Sequence, residues 1–113
     1  MSYFDRLLHF YSLLIDEAYE LEADFDLKKA RHIRKSLVQK QRQVTKLIHD
    51  YQTSLSLVEF NNNTETEATI ENQLLIMQSI SEFNTTVLKI DVVTPKGYYM
   101  FIKDIIAYSH LLP

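Results

Sequence analysis

Apolar residues at the start of the chain recur at alternating spacings of three and four: Phe4, Leu7, Tyr11, Leu14, Ala18 and Leu21. That spacing is the seam of an amphipathic helix, and it predicts helix over residues 3–22. The stretch Glu22–Asp26 then interrupts the pattern and offers Asp24 or Asp26 as an N-cap for the next element. From Leu27 to about Val58 the pattern is at its cleanest. At 100° per residue, Ile33, Leu37, Val44, Ile48, Tyr51 and Leu55 share one side. Arg34 and Gln41 flank that side as polar residues within a helical interface. A helix of about thirty residues suits a hairpin or an elongated bundle.

A polar break, Phe60-Asn-Asn-Asn-Thr64, follows. Thr64 with Glu67 three residues on is a capping-box pattern, and Glu65, Glu67 and Glu71 suit the positive end of a helix dipole. The third helix is expected to run to about Ile90, with Ile76, Ile80, Phe83, Val87 and Ile90 on one stripe. Thr94-Pro95-Lys96-Gly97 is the strongest turn signal in the chain. A last helix over Tyr98–Leu112 is apolar nearly all round, so it is buried either in its own fold or in a partner.

These elements give an all-α fold: an antiparallel helical hairpin or bundle with three long helices and a shorter apolar C-terminal helix, in one domain over residues 1–113. One glycine and two prolines leave few residues for tight turns, which argues against sheet architectures. With no cysteine there is no disulfide framework, no thiolate metal site and no cysteine nucleophile. His9, His49 and His110 have no partner at metal-ligand spacing, and Gly97 alone cannot form a phosphate loop. No cofactor, no metal and no enzyme activity are therefore expected. The N-terminus lacks the pattern of a signal peptide, and no apolar run approaches the roughly 18–20 residues of a membrane span, so the expected setting is cytoplasmic.

Charge changes this picture. Between Lys28 and Lys46 lie eight basic residues and no acid, in a chain of net charge −3. Asp16, Glu17, Glu20, Glu22, Asp24 and Asp26 precede them. Lys28, Arg31, Lys35, Arg42 and Lys46 fall in a narrow sector opposite the apolar side of the second helix. This face is either solvated and neutralised by the acidic end of the first helix, or it meets an acidic protein, a nucleic acid or an anionic surface. A sequence pI of about 5.7 weighs against nucleic acid. His32 and Lys35 have the spacing of a histidine phosphotransfer helix, although Ser36 stands where such helices carry a glycine. In the last helix Tyr98, Tyr99, Phe101, Ile102, Ile105 and Tyr108 are candidate anchors for a partner's amphipathic helix. A homodimer whose tails pack together fits the same stripes.

The run Glu17-Ala-Tyr-Glu-Leu-Glu-Ala-Asp-Phe-Asp-Leu-Lys-Lys29, leading into a long basic helix, resembles the flagellar type III export chaperones. The later Glu71-Asn-Gln-Leu-Leu75 adds to the likeness, which covers about residues 7–90. The resemblance implies a small cytoplasmic helical chaperone or adaptor that holds an export substrate. Its substrate-holding part would be the third helix and the apolar tail, Tyr98 to Leu112.

Overall fold

The structure, a computed structural model, describes residues 2–60, 64–110 and 112, with the backbone alone for Phe60. The predicted asparagine break at 61–63 and the apolar position Leu111 lie outside the described residues. The fold is all-α. It comprises α1 (Tyr3–Ala23), α2 (Leu27–Phe60), α3 (Thr64–Val87) and α4 (Pro95–Ala107), closed by a 3₁₀ turn at Tyr108–His110.

Each boundary has a local cause. Ser2 and Asp5 form a capping box at the start of α1, the Ser2 hydroxyl accepting the Asp5 N–H at 3.1 Å. Asp26 caps α2 by accepting the Lys29 N–H at 3.0 Å, while Asp24 closes α1. α3 begins at Thr64, which is thus its first residue, and it ends at Val87 instead of Ile90. α4 starts at Pro95, three residues earlier than the turn signal suggested. Thr94 is its N-cap, accepting the Gly97 N–H at 3.0 Å, and proline at the first helical position needs no donor. The turn is therefore 88–94. Gly97 is required there because the Asp91 carbonyl lies where a Cβ would stand.

The helices run up-down-up-down. α2 pairs closely with α3 and α1 with α4, giving two stacked layers. All six positions of the α1 stripe are buried, and they meet Ile33, Leu37 and Val44 of α2 and Met77, Ile80 and Val87 of α3. A polar chain crosses this core. The Tyr11 hydroxyl donates to Asn84 Oδ1, Asn84 Nδ2 donates to Gln41 Oε1 at 3.0 Å, and Gln41 Nε2 donates to Ser81 Oγ at 2.9 Å. Burial pushes the Tyr11 phenol well above its ordinary range, against the opposing pull of its bond to Asn84.

α4 completes the core. Tyr98, Phe101, Ile102, Ile105 and Tyr108 are all buried, and the Tyr108 ring stacks on Phe83 at 4.0 Å between centroids. The Tyr98 hydroxyl ties α4 to the α1–α2 turn, donating to the Leu21 carbonyl at 2.8 Å and accepting the Asp26 N–H at 3.1 Å. These five residues therefore do not form a docking surface: an all-round apolar helix has been covered by its own chain. Of the six candidate anchors Tyr99 alone is exposed.

The longest extent of the molecule is 53 Å, and α2, at a rise of about 1.5 Å per residue, spans nearly all of it. α1 and α4 are shorter. Between Val44 and Leu74 no described residue is fully buried, so the far end of the α2–α3 hairpin projects beyond the four-helix part.

Candidate functional site: the outer face of the α2–α3 layer

The eight basic residues of α2 divide into two groups. Three are engaged with neighbouring groups. Lys29 pairs with Glu20 at 3.0 Å, a contact that raises the lysine pKa chiefly through the hydrogen bond. Arg34 donates to the Leu88 carbonyl at 2.6 Å. The Lys40 ammonium stands 4.6 Å above the Phe10 ring and donates to Gln43. The other five are Lys28, Arg31, Lys35, Arg42 and Lys46, all exposed, and among the described residues none has an ion pair or a hydrogen-bond partner. The acidic end of α1 thus neutralises Lys29 and leaves the rest of the face bare. These five are the residues that the helical angles single out.

At the projecting end the sign reverses. Glu59 of α2 and Glu67 and Glu71 of α3 bring their carboxylates within 4.8 Å of one another. Each like-charge pair at that distance costs about 1 kcal/mol in water before screening, and no cation lies on the chain between Lys46 and Lys89 to relieve it. This meeting escapes a reading of each helix alone, in which Glu67 and Glu71 are solvated charge. The absence of lysine and arginine over 47–88 was its trace in the sequence.

The α2 cations and the α3 carboxylates of Glu67 and Glu71 lie toward one face, with Glu59 in the seam between the two helices. Arg42 is nine residues from the core residue Ile33, and Glu71 is nine from the core residue Ile80, which places each half a turn away from the core. That face is the side of the α2–α3 layer opposite α1 and α4, with Lys46 at its edge, where it also borders the groove toward the start of α1. Gln41 of α2 lies opposite Ser81 and Asn84 of α3, so Glu71 and Glu67 stand level with residues near 52 and 56 of α2. The basic stripe spans levels 28–46. The centres of the two groups are therefore separated along the axis by about 30 Å, and their nearest members, Lys46 and Glu71, by about 9 Å. Leu75, 66% exposed, stands between them.

His32 and Lys35 are both exposed on α2. Beside His32 is a cavity of about 140 Å³ lined by Phe10, Leu14, Glu17 and Ser36 among others. A larger open groove, about 470 Å³, separates the start of α1 from the middle of α2 and is lined by Tyr3, Arg6, Lys40, Lys46 and Asp50 among others. Among the described residues no helix is long and apolar enough to cross a membrane.

Comparison with protein-family models, curated proteins and solved structures gives no match.

Proposed function

We propose that this protein is a small helical adaptor that works by binding another protein, and that its contact surface is the outer face of the α2–α3 layer. The observation that carries this reading is the set of five exposed, unpaired cations, Lys28, Arg31, Lys35, Arg42 and Lys46, in a chain that is acidic overall. Holding like charges together on one helix face is unfavourable unless an anionic partner offsets it. A nucleic acid or an anionic membrane is a poorer fit, because a long polyanion laid on this face would run onto Glu67 and Glu71. The partner's chemistry is therefore an acidic helical segment of limited length.

An adaptor of the export-chaperone kind draws its support from the residue pattern over 7–90 and from the elongated bundle. In such an adaptor α3 and the outer face would hold the substrate, since the apolar tail is core.

The test is titration of the dilute protein with fluorescent polyglutamate and, in parallel, with duplex DNA of similar charge. Polyglutamate is expected to bind with an affinity that falls with salt, and Lys35→Glu with Arg42→Glu is expected to abolish it. Tighter binding of DNA than of polyglutamate would sink the reading.

A further inference from the structure

The outer face carries both partners of an ion-pair interface, displaced along one axis. A surface with a positive block at one end and a negative block at the other is self-complementary under a two-fold rotation that reverses the long axis. Such a rotation lays the acidic tip of one copy along the basic stripe of its partner, twice. We infer that the acidic segment recognised by this face is the α2–α3 tip of a second copy, held in an antiparallel homodimer.

The inference rests on the adaptor reading above and names the partner for that same face. Three features converge on it. Among the described residues Glu59, Glu67 and Glu71 have no ion pair with a cation, and the five exposed cations have none with an acid. The two blocks lie on the same side of the same layer, so one antiparallel arrangement makes both contacts at once. The midpoint between the blocks falls near level 46 of α2, and Leu75 stands level with residues 47–50. An antiparallel pairing therefore covers a leucine that is 66% exposed in the single chain. Side-to-side or parallel association would set the basic stripes against each other and leave the tips unpaired.

The experiment is light scattering with size exclusion on the full chain across ionic strength, together with two charge-reversed variants. The wild type is expected to be a dimer at low salt and to shift to monomer as the Debye length falls from about 30 Å to about 3 Å. Glu67→Lys with Glu71→Lys reverses the tip, and Arg31→Glu, Lys35→Glu, Arg42→Glu and Lys46→Glu together reverse the stripe. Each variant alone is expected to weaken dimerisation on the order of a hundredfold, because both contacts become repulsive. Mixed together they regain complementarity at both contacts, so the equimolar mixture is expected to form a heterodimer. That recovery separates lost complementarity from a misfolded variant, and circular dichroism of each variant supplies the second check.

A wild type that stays monomeric at low salt yet binds polyglutamate overturns the homodimer while leaving the adaptor reading standing. A wild type that does neither overturns both. A dimer that ignores salt, or a mixture that stays monomeric, also overturns the inference.

Discussion

Among the described residues Asn84 is the one fully buried residue that is neither apolar nor aromatic, and the structure predicts what its removal costs. It accepts from the Tyr11 hydroxyl and donates to Gln41, while both Asn84 and Tyr11 are 0% exposed. Asn84→Leu keeps the volume but leaves the Tyr11 hydroxyl buried without an acceptor, at about 1–3 kcal/mol. Gln41 is only half-buried, so the loss of its bond from Asn84 adds less than a fully buried orphan would. Tyr11→Phe leaves Asn84 Oδ1 as the orphan, again at about 1–3 kcal/mol. In the double variant neither orphan exists. Its cost should therefore fall short of the sum of the two by about 2–6 kcal/mol. Urea unfolding of the four proteins at constant m-value measures this coupling directly. If the two costs add within about 0.5 kcal/mol, the bond does not couple α1 to α3 and the reasoning fails.

Tyr98→Phe removes both bonds that fasten α4 to the α1–α2 turn, and should cost about 2–3 kcal/mol and speed amide exchange at Asp26. Gly97→Ala drives a methyl into the Asp91 carbonyl, and a midpoint lowered by more than about 5 °C in thermal unfolding is expected. Ending the chain at Val93 deletes Tyr98, Phe101, Ile102, Ile105 and Tyr108 from the core. At about 1.5–3 kcal/mol for each buried side chain this matches or exceeds an ordinary domain's whole stability, so circular dichroism should show a largely unfolded chain. Burial raises the phenol of Tyr11 above its ordinary value of 10.0, and those of Tyr51 and Tyr108 in the same direction. Their contribution is complete below about pH 10 and is lost as the pH climbs through the raised folded-state values. Denaturation midpoints should thus fall above pH 10, and less steeply in Tyr11→Phe.

The architecture was legible because period 3.6 is a local property. Phe4, Leu7, Tyr11, Leu14, Ala18 and Leu21 were named by spacing alone, and all are buried. The same rule gave Ile48, Tyr51 and Leu55 the same weight as Ile33, yet those three are only half-buried. Periodicity identifies the face that seeks cover, and it does not say where the covering helices stop. The C-terminal helix shows the same gap more sharply. Its apolar circumference demanded burial, and nothing in its pattern distinguishes burial by the same chain from burial by another. At Thr94-Pro95 a helix start looked like a turn, since threonine and proline serve both and only the Gly97 N–H tells them apart. Of the site, the five cations were readable because they share one helix. The Glu59, Glu67 and Glu71 cluster was not, because it forms across two helices joined beyond the pattern of either.

The unequal helix lengths imply that this bundle does not melt as one unit. Amides near Leu21, Ile33 and Phe101 open only with the whole four-helix part, whereas residues 51–58 and 66–73 lean on a two-helix seam with no fully buried side chain. Local opening of that seam needs far less free energy than global unfolding, so hydrogen exchange should quicken steadily from the base toward the projecting end. Anything that grips this end holds its two helices against that local opening, and in doing so protects amides well outside its own footprint.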